Sequence, residues 1–196
     1  MKNLLVLLFS TFILFSFNNP EKSVWQLDGG HSSLRFSVKH MGVANFNGNF
    51  EKFKVTVNTK GDDFSTMEVE MSADVESLNT GNSMRDKHLC AEDFFDAKKY
   101  PKISFKSTSV KKKGKNGYIV KGDFTMHGVT KQVELTAVHN ATVVLKEEGQ
   151  EIPLAGFKVS GVVKRSDFGV APSFQSVADE VYLDADIEIF KAPIEK

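Results

Sequence analysis

The stretch TMEVEMSADVES, residues 66–77, decides the fold. Met67, Val69, Met71, Ala73 and Val75 alternate with Glu68, Glu70, Ser72, Asp74 and Glu76. A period of two places one set on each side of an extended chain, so this is a strand with one buried and one solvated face. The same alternation runs through SLRFSVKH (33–40), where Leu34, Phe36, Val38 and His40 oppose Ser33, Arg35, Ser37 and Lys39. It returns at Ile103 and Phe105, from Tyr118 to Met126, from Val133 to Ala137, from Phe157 to Val163 and from Val181 to Ile189. In NFNGNFEKFKVTV (45–57), Phe46, Gly48 and Phe50 share one parity while Phe53, Val55 and Val57 take the other, which predicts a bulge at Glu51 or Lys52.

Short turn signals separate these runs: Lys60-Gly61-Asp62-Asp63, Gly114-Lys115-Asn116-Gly117 and His127-Gly128. Neighbouring strands are therefore antiparallel. The Lys111-Lys112-Lys113 run is assigned to a turn. Residues 79–100 carry a helix start, with Ser83 as the cap and Asp86 three residues on, and end against Tyr100-Pro101. Residues 164–179 have no period. Both segments are expected to cover an open end of the sheet. Long amphipathic strands without a helical layer leave a sandwich or a closed barrel. The expectation is all-β: an antiparallel barrel of about eight strands with a short helical lid, wide enough for one small ligand.

Lysine plus arginine equals aspartate plus glutamate at 25 each, which argues against nucleic acid as a partner. At the N-terminus, Lys2 precedes an uncharged run from Leu4 to Phe17. As a helix it would extend about 21 Å, against a hydrocarbon core of roughly 30 Å. Residues 1–19 read as a secretory signal peptide with cleavage between Ser16 and Pro20, leaving a single domain over 20–196. The expected location is the periplasm or the extracellular space. Cys90 is the only cysteine, so no internal disulfide is available, and it reads as a small buried hydrophobe. Asn140-Ala141-Thr142 is a sequon that matters only in a host that glycosylates.

Catalytic apparatus is hard to find. Asp167-Phe168-Gly169 copies a kinase triplet without the glycine-rich loop or strand lysine it requires, and there is no G-x-S-x-G elbow or phosphate loop. His31 and His40 lie about 30 Å apart on an extended strand and on opposite parities. His88-Leu89-Cys90 lacks a second ligand cluster, so no metal and no cofactor is expected. Thirteen phenylalanines follow the leader, many of them at inward parity. The predicted wall is Phe36, Val38, His40, Phe46, Phe50, Phe105, Phe124 and Met126, with Phe94, Phe95 and Phe168 at the mouth and His40 touching a polar head group.

Taken in order, several segments form a recognisable series: Trp25-x-Leu27-Asp28 with His31-Ser32, Phe36 to Gly42, Gly48-x-Phe50, Arg85-Asp86-x-His88-Leu89, Asp93-Phe94-Phe95-Asp96, Tyr100-Pro101-x-Ile103-x-Phe105, Gly122 to Thr130, and Arg165 to Gly169. The series resembles the YceI-like family of bacterial lipid-binding proteins. That resemblance implies a lipocalin-like barrel holding a long apolar molecule, a polyisoprenoid or a fatty-acid-like amphiphile, in a periplasmic or secreted protein that is not an enzyme. Cys90 departs from the family, which often has a basic residue there, so no charged lid contact is carried over at that position. The partners expected are the lipid and a membrane met transiently, with a homodimer left open. The rival reading is a redox or stress accessory protein, or a metal or thiol enzyme, that uses the barrel only as a scaffold.

Overall fold

The computed structural model describes residues 21–147 and 149–193. The predicted signal peptide lies outside the described residues. Among the described residues eleven strands form one antiparallel sheet: β1 (Lys22–Leu27), β2 (Ser33–His40), β3 (Ala44–Phe50), β4 (Phe53–Lys60), β5 (Asp63–Asp74), β6 (Leu78–Asn79), β7 (Lys102–Lys113), β8 (Gly117–Met126), β9 (Val129–Glu147), β10 (Gln150–Lys164) and β11 (Val177–Lys191). One helix, α1 (Ser83–Leu89), lies between β6 and β7.

The eleven strands make eight staves. Strand β11 pairs along its first part with β2, from Val177 opposite His40 to Asp186 opposite Ser33, and at its end with β1, from Ile189 opposite Leu27 to Lys191 opposite Trp25. Strands β1 and β2 are thus one stave, interrupted at the Gly29-Gly30 turn. Strands β3 and β4 make the next, pairing with β2 and β1 respectively. The break between β3 and β4 falls at Glu51-Lys52, where the change of parity predicts a bulge. There the Glu51 and Lys52 amides donate to the Ser77 carbonyl and hydroxyl, each at 3.0 Å. Strand β5 follows, with the short β6 after it pairing with β3, then β7, β8, β9, β10 and β11 in chain order, and the ring closes on β1 and β2. Every stave neighbours its sequence neighbour, as tight turns require.

Three expectations are corrected. The opening stretch stays extended only to Asp74; Val75–Ser77 turns as a 3-10 helix that still buries Val75. Lys111–Lys113 belong to β7, paired with Ile119, Tyr118 and Gly117, because the turn needs only the three residues Gly114–Asn116. The α1 cap is Asn82, whose side chain accepts from the Arg85 amide at 3.0 Å. Asp86 instead accepts from the Thr80 amide at 2.9 Å and so ties the helix to the segment before it.

Cross-strand glycines let inward rings lie flat. A Cβ on Gly122 would sit 2.5 Å from both the Lys106 carbonyl and the Phe105 ring, and one on Gly48 would sit 2.5 Å from the Phe36 ring. On the outer face, Arg35 and Lys158 bridge Asp184 and Asp186, with Lys158 at 2.7 Å from Asp184 and 3.2 Å from Asp186. Lys158 and Arg35 hold the Asp184 carboxyl below its ordinary range, and Arg35 does the same for Asp186.

Two outcomes are expected. Gly122→Ala costs about 1–3 kcal/mol by overpacking, read as a lower urea midpoint. Asp184→Asn costs about 1 kcal/mol or less, given solvent screening. Because the native carboxyl is depressed, its contribution is complete above the unfolded value of about 3.9 and is lost as the pH falls through the native value. The deficit of Asp184→Asn relative to the parent is therefore expected to be full at neutral pH and to shrink below pH ~4 in pH-stepped urea titrations.

Candidate ligand-binding site

The barrel is closed at one end. Trp25 is fully buried, its indole N–H donates to the Thr59 hydroxyl at 3.1 Å, and its ring packs 5.1 Å from Phe64. Phe64 in turn meets Phe157 at 4.9 Å and His139 at 5.3 Å. These rings form the floor, since β1 pairs only with the last residues of β11. From Lys191, opposite Trp25 of β1, back to its start at Val177, β11 covers roughly 45–50 Å, and its beginning marks the other end.

Above the floor lies a chamber of about 560 Å³, lined by inward side chains from the staves all round the barrel. The volume falls within the range of small-molecule sites. Val57, Met71, Phe105, Val120, Leu135, Phe157, Val159, Leu183 and Ile187 are among its walls. Of the polar residues in its lining, His40, Asn45, Arg85, His88 and Arg165 belong to the end away from Trp25, and Arg35 turns its guanidinium to Asp184 and Asp186 on the outer face. His40, Ala44, Asn45 and Arg85 are exposed, so this end is the mouth.

Ten of the eleven residues singled out in the sequence line this chamber: Phe36, Val38, His40, Phe46, Phe50, Phe94, Phe95, Phe105, Phe124 and Met126. Four of them form a ladder of rings, with Phe46 to Phe36 at 6.4 Å, Phe36 to Phe50 at 5.9 Å and Phe50 to Phe95 at 6.5 Å. The eleventh, Phe168, does not line the chamber. It is 1% exposed and packs edge-on against Phe124 at 5.5 Å, because the 3-10 turn Arg165–Phe168 buries it there. His40 stands at the exposed rim, where β2 ends. Phe157 and Phe174 also line the chamber. Phe157 was legible from its parity, but Phe174 sits in an aperiodic segment that gives no signal.

Two covering segments frame the mouth. In the first, the Arg85 guanidinium lies 4.1 Å from the centre of the Phe46 ring and donates to the Thr80 carbonyl at 2.8 Å. His88 contacts Asp93 at 2.7 Å and the edge of Phe94 at 4.9 Å. In the second, Arg165 is 9% exposed, and every N–H it carries meets a backbone carbonyl: Ala178 at 3.1 Å, Val170 at 3.1 Å, Ala171, Phe174 at 2.7 Å and Val177 at 2.9 Å. A buried charge is tolerated only when it is well solvated by dipoles, and five carbonyls supply that. Arg165 thereby fixes the course of residues 170–178. Phe94 and Phe174 join the two segments at 5.1 Å.

Cys90 is half-buried, with its sulfur 3.7 Å from the Val75 carbonyl. Burial, and then the charges of Glu76 and Asp86, push its thiol pKa up, which disfavours the thiolate that nucleophilic or redox chemistry needs. His31 meets Asp28 at 3.0 Å and Glu188 at 3.7 Å on the exposed outer turn between β1 and β2. Their ligand atoms lie close enough to hold a cation. The same proximity makes them an ion pair: Asp28 raises the histidine, and the histidine lowers Asp28. The chamber itself carries no such cluster among the described residues.

A closed antiparallel barrel with an apolar chamber and one covered mouth defines a ligand-binding barrel. The chain belongs to the YceI-like domain family, whose pattern matches residues 25–189. It is 32% identical over 171 residues to a UPF0312 protein of Vibrio cholerae, covering 87% of each chain. Its fold matches the crystal structure of a YCEI protein of Campylobacter jejuni with a TM-score of 0.70 at 30% identity, covering 79% of this chain and 90% of that one. The same fold is found in a polyisoprenoid binding domain from Saccharophagus degradans, with a TM-score of 0.59 at 15% identity, covering 86% and 98%. The family is one of non-catalytic ligand-binding barrels.

The raised thiol has a direct readout. At pH 8, modification of Cys90 by a disulfide reagent is expected to be slower than that of a free cysteine peptide, and to reach the peptide's rate on unfolding in urea. Reaction in the native protein at or above the peptide's rate would contradict the inert assignment.

Proposed function

We propose that the protein is a secreted or periplasmic carrier that sequesters a polyisoprenoid or other long-chain amphiphile in its chamber. The observation that carries this reading is the chamber wall, which is lined almost throughout by apolar side chains, with the polar ones gathered at the mouth apart from Arg35, whose guanidinium turns outward to Asp184 and Asp186. A chain of repeated methylene and methyl groups has the chemistry that such a wall recognises. The eleven residues singled out in the sequence, Phe168 included, are proposed as the lipid-contacting set and its support. His40 is placed to meet a polar head group at the rim.

The magnitudes favour this assignment. Burial of one methylene contributes about 0.8 kcal/mol, so one isoprene unit contributes up to roughly 4 kcal/mol. Association costs about 4–15 kcal/mol. Four or more units outweigh that cost without any specific polar contact. A carrier of this kind needs no catalytic constellation, and the printed name of the Saccharophagus domain points to the same ligand class. The N-terminal 1–19 leader, with cleavage between Ser16 and Pro20, would deliver the domain to the compartment typical of the family.

Protein purified without detergent is expected to show, in native mass spectrometry, an added mass that organic extraction removes and identifies as a prenyl or long acyl chain. Val159 faces the chamber opposite Ala137 and Ala185 in the paired strands. Val159→Trp is expected to keep the circular dichroism of the parent and to weaken uptake of added prenyl alcohol by at least about tenfold. An empty barrel that takes up no prenyl or acyl lipid would overturn the proposal.

A further inference from the structure

A ring of solvent-exposed apolar side chains surrounds the mouth. Met41 is 68% exposed, Val43 87%, Met84 80% and Phe174 40%. They come from three different segments that the structure ties together. The Met41 amide donates to the Ser176 carbonyl at 2.8 Å, Arg85 of α1 covers Phe46 of β3, and Phe174 packs on Phe94. Soluble proteins expose single apolar residues freely, but a cluster around an opening marks a contact surface.

The tip of the β2–β3 hairpin adds an independent observation. Met41 has φ of 50° and Gly42 of 71°, with the Val43 amide donating to the His40 carbonyl at 3.0 Å. This left-handed two-residue turn suits Asn-Gly or Asp-Gly. Here a methionine occupies the position, against the preference of any residue with a Cβ, and its side chain is held out into solvent.

The charges of the rim are balanced and largely self-contained. Across residues 39–46, 82–95 and 171–176, Lys39, Arg85 and Lys87 match Asp86, Glu92 and Asp93. Arg85 is bound to Thr80, Asp86 accepts from the same residue, and His88 pairs with Asp93. A rim with apolar tips and no net field suits the headgroup boundary of a bilayer, where apolar burial and not charge attraction supplies the affinity. The ring is also continuous with the chamber wall through Phe46 and Phe174.

We propose that the rim of Met41, Val43, Met84 and Phe174 inserts into the surface of a lipid bilayer and seats the mouth of the chamber on it. For its purpose this rests on the carrier reading; its geometry stands alone. A water-insoluble chain then passes from the membrane to the barrel without crossing water.

The test is co-flotation of the full protein with vesicles of phosphatidylethanolamine and phosphatidylglycerol, at low and high salt. The parent is expected to float at both. The triple variant M41S, V43S and M84S alters side chains outside the chamber wall and is expected to bind vesicles at least about tenfold more weakly. The control V143S and V144S removes exposed apolar residues at the closed end and is expected to float like the parent. A parent that stays in solution, a triple variant that floats equally well, release by salt, or equal loss in the control would each overturn the proposal. So would a rim that proves to be a contact with a second copy, seen as a concentration-dependent dimer abolished by the triple variant while neither protein floats. Binding of farnesol without vesicles, measured in parallel, is expected to be unchanged in the triple variant. If the parent binds no farnesol, the carrier reading fails while the flotation result keeps its own meaning.

Discussion

The seam along which β11 meets the stave of β1 and β2, from Val177 opposite His40 to Lys191 opposite Trp25, turns a sheet into a tube. An open sheet of this length would present two long edges of unpaired amides and carbonyls. Closure satisfies them, and it also fixes the radius: eight staves leave an interior that inward side chains line but do not fill. The chamber is thus a geometric result of strand number. Its character follows from parity, because a period of two sends every second residue of each stave to the same inner surface.

The two broken staves show what closure demands. A straight chain from β1 to β2 could not follow β11 over its full length, and the Gly29-Gly30 turn and the Glu51-Lys52 interruption let adjacent staves bend together. The interruption also separates two uses of one stave. Below it, Val55 and Val57 lie toward the floor; above it, Phe46 and Phe50 join the ring ladder that climbs to the mouth. Arg165 plays the matching part on the other side, where five carbonyls are gathered on one guanidinium and an aperiodic segment becomes a fixed wall of the opening.

Parity made most of this legible in the sequence. The strands, the break at Glu51-Lys52 and eight of the chamber residues follow from alternation, which is a local signal, while Phe94 and Phe95 come from the covering segment that lacks it. What the alternation does not encode was read less well. Ser33–His40 coincides with β2, but β9 and β10 run well beyond their obvious apolar residues because pairing with a neighbour extends a strand past its own pattern. Lys111–Lys113 were drawn into β7 for the same reason. Phe168, expected to close the mouth, is instead buried outside the chamber lining, and a 3-10 turn has no periodicity from which to infer that direction. The meeting of His31 with Glu188 depends on a contact between residues 157 positions apart, which no spacing rule supplies.

The central claim is that the chamber is a seat for a long apolar chain. An experimental crystal structure of the protein purified without detergent tests it most directly. The account expects continuous chain-like density from beside Phe157 at the floor to His40 at the rim, with Phe36, Phe46 and Phe50 against it. A chamber filled by ordered water, or collapsed so that opposing side chains touch, would contradict it.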